Sequence, residues 1–264
     1  MPDIRPLKAE DWDEFQVMDK DLFPDDAVEE EWFKKRIERD GAFALIQDGR
    51  IIGNLIMSRF GEDEAHLGRI GVSKFHQGKG YGSMLMEYAI DWFREEGGIR
   101  KVHLYTQDFN KSAQNLYKKY GFKRAGTTWH YFVPYDSLEP KNTYTCQKIQ
   151  EDEIDSVGSM FPSLPGGQIR RFLTYDEHLV LILKDLNGYN VGVCRFTPAF
   201  PGCMPFEITN IECFDDFIEG LKEFKLPEHD YCRVTFTDIP ELAELCEARD
   251  YRLHHRLHKM TLTL

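Results

Sequence analysis

Three alternating glycines, Gly78, Gly80 and Gly82, stand in the run Gln77-Gly78-Lys79-Gly80-Tyr81-Gly82-Ser83. Backbone without side chains curls easily and aims several N–H groups at one point. The segment that follows, 83–96, carries Met84, Leu85, Tyr88, Ala89, Trp92 and Phe93 at helical spacing. A glycine turn feeding a helix start is an anion site, because the unpartnered N–H groups and the positive end of the helix dipole coincide there. Two phosphate motifs do not fit. A Walker loop wants Gly-Lys-Ser/Thr after its last glycine, where this chain has Gly82-Ser83-Met84. A dinucleotide fingerprint wants a glycine three residues after the second, where Ser83 or Leu85 stands.

A second constellation follows the strand-like Val102-His103-Leu104-Tyr105-Thr106. It reads Asn110-Lys111-Ser112-Ala113-Gln114-Asn115-Leu116-Tyr117-Lys118-Lys119-Tyr120-Gly121-Phe122. Asn110 suits a helix cap, and Gly121 suits a left-handed helix stop. Two patterns emerge: Gln77-x-x-Gly80-x-Gly82 after a strand ending at Val72, then Asn110-x-x-Ala113-x-x-Leu116-Tyr117-x-x-x-Gly121-Phe122. In this order they resemble the GCN5-related N-acetyltransferase (GNAT) family. The resemblance implies acetyl-CoA as acyl donor and no metal. It implies cofactor contacts from Gln77, Gly78, Lys79, Gly80, Tyr81, Gly82, Ser83, Asn110 and Tyr117. It also implies that backbone groups of Ile70, Gly71 and Val72 pair with the pantetheine arm, one of them near the thioester oxygen, and that Tyr117 is the acid for the departing thiolate.

Acyl transfer from a thioester to an amine makes demands of its own. An aliphatic amine is mostly protonated at pH 7, so something must accept its proton. Glu64 and His66, on the strand before the loop, are the candidate bases, with ordered water as the alternative. An ordinary phenol titrates near a thiol, so proton transfer from Tyr117 is expected to be roughly balanced. His76 reads as a solvated neighbour of phosphate. The acceptor stays open: a small amine, an amino acid, a peptide N-terminus or a lysine side chain. The acids Asp19, Asp21, Asp25, Asp26, Glu29, Glu30 and Glu31 read as a solvated helix start or as a funnel for a cationic amine, with Trp32, Trp129 and Tyr131 as aromatic walls. A catalytically silent acyl-CoA-binding regulator is the alternative to an enzyme.

The elements that must position these groups follow from periodicity. A strand is expected at 4–7, helices at 10–22 and 28–37, and a hairpin of 42–47 and 51–60 turning at Asp48-Gly49. A further turn is expected at Gly61-Glu62-Asp63, then the strand 65–72. The fold class is α+β, a mixed sheet with helices on both faces. The stretch from Pro134 to Pro140 has two prolines and no period, and reads as a linker. Beyond it the chain echoes itself: 145–154 echoes 3–12, 180–196 the first hairpin, and 233–251 the strand and helix ending at Phe122. Two tandem copies of the fold are expected, a catalytic domain over 1–140 and a shortened, degenerate one over 141–264. The second copy lacks the glycine loop. Between Ile208 and Leu221 it carries Glu212, Asp215 and Asp216, acids that would repel a diphosphate, and Cys246 stands opposite Tyr117.

Composition bounds the rest. The 264 residues are 42% apolar and 30% charged, enough for packed cores. The net charge of -12 argues against a nucleic-acid partner. No apolar run reaches membrane-spanning length and no basic-then-apolar leader opens the chain, so a soluble cytoplasmic protein with no membrane partner is expected. All six cysteines fall in the second half without C-x-x-C or metal-ligand spacing, and read as reduced buried thiols. The expected partners are acetyl-CoA and an amine-bearing acceptor, small molecule or peptide, with a homodimer left open.

Overall fold

Short β-branched and aromatic runs alternate with amphipathic stretches, and each becomes the element its period requires. A computed structural model describes residues 2–59 and 63–264. The expected strand end at Phe60 and the turn residues Gly61-Glu62 lie outside the described residues. The chain divides into two units, Met1–Arg124 with Met260–Leu264, and Ala125–Lys259. Among the described residues no helix is long and apolar enough to cross a membrane.

The first unit contains β1 (Asp3–Pro6), α1 (Trp12–Leu22), α2 (Glu30–Ile37), β2 (Ala42–Gln47), β3 (Arg50–Arg59), β4 (Glu64–Val72), α3 (Tyr81–Glu95), β5 (Lys101–Gln107) and α4 (Lys111–Lys119). The sheet runs β1-β2-β3-β4-β5, then the end of the last strand of the chain. Asp48 and Gly49 both take positive φ (52° and 76°), the pairing a two-residue hairpin needs. One face of the sheet packs on α3 through Leu85, Met86, Ala89 and Phe93. The other packs on α1 and α2 through Phe15, Met18 and Phe33, with the Phe15 and Phe33 rings 4.7 Å apart.

Two features of β4 shape the site. Ile56 faces Arg69 and Met57 faces Leu67, so Gly68 is an extra residue, a β-bulge that bends the strand. On its other side β4 pairs with β5 in parallel over Glu64–His66 and Lys101–His103, and the paired register ends there. Beyond His66 the two strands part, which leaves the β5-facing edge of 70–72 open.

The second unit repeats the order: β7 (Thr145–Lys148), α5 (Ile154–Met160), α6 (Gly166–Phe172), β8 (Leu179–Lys184), β9 (Asn190–Thr197), β10 (Gly202–Ile208), α7 (Phe214–Gly220), β11 (Tyr231–Thr237) and α8 (Pro240–Ala248). Its sheet runs β7-β8-β9-β10-β11-β6-β12, where β6 is Lys123–Pro134 and β12 is Arg252–Thr263. The copy is shortened, as expected: α7 has 7 residues where α3 has 15.

The division falls at Arg124, not near 140, because β6 pairs with β11 from Thr128–Thr237 to Pro134–Tyr231. The last residues of β12 return to the first unit, where Met260 joins its core and the Leu264 N–H donates to the Arg100 carbonyl at 3.0 Å. Each unit therefore completes its sheet with a strand from the other sequence copy. The proline-flanked stretch is not a free linker either. Tyr135 is buried in the second unit's core, and the N–H groups of Glu139, Lys141 and Thr143 donate to Asp215 and Asp216.

Candidate active site

The open edge of β4 and the starts of α3 and α4 enclose a cleft of about 400 Å³. Its walls are Leu22 and Phe23 from the end of α1, Ile70, Gly71 and Val72, the loop residues His76, Gln77, Gly78, Gly80, Tyr81, Gly82 and Ser83, and Asn110, Ser112, Ala113, Leu116 and Tyr117. Of the proposed cofactor residues, Lys79 alone is outside this wall, as an exposed side chain on the same loop.

The glycines play two roles. Gly78 and Gly80 take left-handed φ (74° and 88°), and no atom lies within 4 Å of where their side chains would be. They turn the chain, and Gly80 caps α3 without any side-chain bond, so the first-turn N–H groups stay available. Gly82 instead lets helices approach, since a Cβ there would sit 3.2 Å from Leu116 Cδ2. Gln77 donates from Nε2 to the Val72 carbonyl at 2.9 Å, closing the end of β4. Tyr81 donates its hydroxyl to Gln47 Oε1 at 2.7 Å. Asn110 accepts from the Ala113 N–H at 3.1 Å, the cap its position predicts.

Tyr117 is buried in the cleft wall, its ring 6.2 Å from that of Phe122. Desolvation pushes its phenol up to about 12. The balanced proton transfer expected of an ordinary phenol is therefore lost, and the group is better suited to donating a hydrogen bond than to giving up its proton.

Glu64 and His66 do not line the cleft. Glu64 Oε2 lies 3.1 Å from His103 Nε2, and Oε1 lies 3.9 Å from Lys101 Nζ. His103 Nδ1 in turn meets Thr261 Oγ1 at 2.9 Å. His66 sets its ring edge-on to Tyr105 at 5.7 Å. Burial, then the Glu64 charge, raises Tyr105 to about 12. His103 and Thr261 escaped the sequence reading because 158 residues separate them.

The acidic run of α1 and α2 is mostly paired. Asp19, buried on α1, meets Arg69 at 2.9 Å and accepts from the Val28 N–H at 3.0 Å. Burial raises the Asp19 carboxyl and lowers Arg69, so desolvation outweighs their attraction in both partners. Arg69 also covers the Phe23 ring at 4.1 Å, pinning the end of α1 beside the bulge. Asp21 pairs with Lys74, Glu30 with Lys34 and Glu31 with Lys35. This pairing favours the surface reading over a funnel. Of the three aromatic walls, Tyr131 is buried in the second unit's core and offers no face to a ligand.

Residues 4–122 match the model of the acetyltransferase (GNAT) family. The chain is 33% identical over 109 residues to a streptothricin acetyltransferase of Escherichia coli, covering 40% of this chain and 56% of that protein. Its fold is similar to a GCN5-related N-acetyltransferase of Sphaerobacter thermophilus, with a TM-score of 0.72, 14% identity, and 99% of this chain and 95% of that one covered. It is also similar to a tandem GNAT protein from the clavulanic acid biosynthesis pathway, with a TM-score of 0.65, 12% identity, and 100% and 98% covered.

Proposed function

Residues 4–122 belong to the GNAT family, and from that premise we propose that the chain moves an acetyl group from acetyl-CoA to a primary amine in a ternary complex. The observation that carries the reading is one cleft in which a left-handed glycine turn opens the 15-residue helix α3, an unpaired strand edge lies beside it, and a buried tyrosine closes the wall.

The residues divide the work. N–H groups of the turn from Gly78 to Ser83 hold the diphosphate, with the exposed Lys79 adding charge. The edge of Ile70, Gly71 and Val72, freed where β5 departs, pairs with the pantetheine amides as a strand would. One of its N–H groups stabilises the oxygen as the amine attacks the thioester carbon. The nitrogen–carbon bond forms, the carbon–sulfur bond breaks, and the sulfur leaves as thiolate. Tyr117 donates a hydrogen bond to that sulfur. Glu64 stands outside the wall, so the amine proton reaches it through water, with His103 holding the carboxylate in place.

The second unit is proposed to hold no acetyl-CoA, because its helix start is already occupied. Asn210 accepts from the Glu212 N–H at 2.9 Å, and Asp215 and Asp216 bind the segment from Glu139 to Thr143. The test combines calorimetry with a thiol-release assay over a panel of amines. One acetyl-CoA bound per chain with amine-dependent release of coenzyme A is the expected result. Binding without release from any amine would leave a silent acyl-CoA sensor instead, and two sites per chain would refute the assignment of the second unit.

A further inference from the structure

Asn54 lies on β3 directly opposite Gly71 of β4. Its side chain is completely buried, and neither Oδ1 nor Nδ2 has a hydrogen-bond partner among the described residues. Strand alternation puts it on the same face as Ile56, in the apolar layer beneath α1. An isolated amide is costly in such surroundings, whereas an apolar residue of the same size would carry no such cost. A buried polar group without a protein partner is satisfied by a ligand or by an ordered water.

The surroundings show where the partner comes from. A Cβ on Gly71 would stand 2.7 Å from Leu22 Cδ1, 3.1 Å from Asn54 Oδ1 and 3.4 Å from Phe23 Cε2. Leu22, Phe23 and Gly71 are all cleft wall. The bare Cα of Gly71 and the tips of two apolar side chains thus separate the amide from the cleft. β3 flanks β4 on the edge opposite the one that parts from β5. On the acetyltransferase reading, on which this inference rests, the pantetheine occupies the parted edge. The group that meets Asn54 therefore belongs to the acceptor, entering over the α1 face.

An asparagine side chain presents one acceptor oxygen and one donor nitrogen side by side. Its complement is a group that offers one donor and one acceptor in the same spacing, as a carboxamide or peptide bond does. We propose that Asn54 is a specificity-determining residue that hydrogen-bonds an amide group close to the reacting amine. The acceptor class is then an amine bearing a neighbouring carboxamide, and not a plain alkylamine.

The test measures kcat/KM for an α-amino carboxamide and for an alkylamine of matching length, in the wild type and in Asn54→Leu. The wild type should prefer the carboxamide by roughly tenfold or more, the cost of leaving one buried polar group unpaired. In Asn54→Leu the preference should fall to near unity, through KM for the carboxamide, while acetyl-CoA affinity and kcat for the alkylamine hold. Because no protein hydrogen bond is lost, the thermal midpoint of the variant should equal or exceed that of the wild type. A wild type with no preference overturns the inference without any variant. So does an Asn54→Leu protein that keeps the preference, as expected of an amide that merely binds a structural water. Failure of every amine to release coenzyme A would overturn the acetyltransferase reading itself, and this inference with it.

Discussion

Tyr117→Phe isolates what the cleft phenol contributes. The ring is held by packing in the first unit's core, so the variant keeps the wall and loses one oxygen. Burial places the phenol at about 12, while a thiol titrates near 8.5. Complete proton transfer to the leaving sulfur is then uphill by roughly 3.5 pKa units, about 5 kcal/mol. A hydrogen bond to the developing thiolate avoids that cost and is worth about 1.5–3 kcal/mol. Its loss should lower kcat by roughly 10- to 150-fold. The assay is steady-state release of coenzyme A, saturated in both substrates, between pH 7 and pH 10. Acetyl-CoA affinity should be unchanged, since the interaction grows only as the carbon–sulfur bond breaks. The wild type should show no alkaline limb from this group below about pH 10, because ionisation waits until the buried value is approached. An unchanged kcat at saturation would refute the assignment. An alkaline limb near pH 10 that vanishes in the variant would refute the burial argument even if kcat falls.

Gly80→Asp should weaken acetyl-CoA binding by roughly tenfold or more, because a left-handed residue gains a side chain at a cost of about 1–2 kcal/mol and the anion meets a like charge. With no atom within 4 Å of the new Cβ, the fold should survive, and undiminished affinity by calorimetry would remove the loop from the diphosphate site. Tyr105 and Tyr117 both sit at about 12 when folded, against about 10 in an unfolded chain. The unfolded chain therefore loses these protons first as pH rises past 10, so stability is intact below that value and falls toward 12, by about 2–3 kcal/mol for the pair at pH 11. Urea midpoints at pH 8 and pH 11 should converge when both are replaced by phenylalanine, and an unaltered gap would assign the alkaline loss to other groups.

Local chemistry was legible wherever one residue decides one conformation. Gly78 and Gly80 read as a turn because few other residues tolerate that φ, and Asn110 read as a cap because its side chain reaches an N–H three residues on. Facts set by distant partners were not legible. Nothing local in 123–134 or 252–263 says which sheet receives these strands, so the boundary near 140 misses their exchange. The bulge at Gly68 leaves no periodic trace, yet it bends the strand on which the site is built. Asn54 sits between Gly53 and Leu55 in an apolar run, and only the register opposite Gly71 gives it meaning. Of the stretch expected to be irregular, Pro134 ends β6 opposite Tyr231 and 135–137 form a 3-10 turn, so only 138–140 lack regular structure. Irregular is not loose, though, and carboxylates that look like surface acids in sequence hold that backbone in place.

The two copies show how an anion site is lost while its scaffold is kept. Both have the same order of strands and helices, and in both the strand before the third helix pairs only briefly with its parallel neighbour: Glu64–His66 with β5, and Gly202–Cys203 with β11. What differs is the helix start. In the first copy Gly80 supplies no side chain, so the cap leaves the first-turn N–H groups of α3 without a side-chain acceptor. In the second, Asn210 takes the Glu212 N–H. Asp215 then forms a two-point ion pair with Arg249 at 2.5 and 2.9 Å while it binds Glu139, and Asp216 binds Lys141 and Thr143. The sequence suggests repulsion of a phosphate by these acids. The stronger reason is competition, since donors near the helix start already have acceptors inside the unit and the acids are buried by their own partners. Restoring a diphosphate site there would mean rebuilding the contacts that fasten 139–143, so a single glycine placed at the helix start would not be enough.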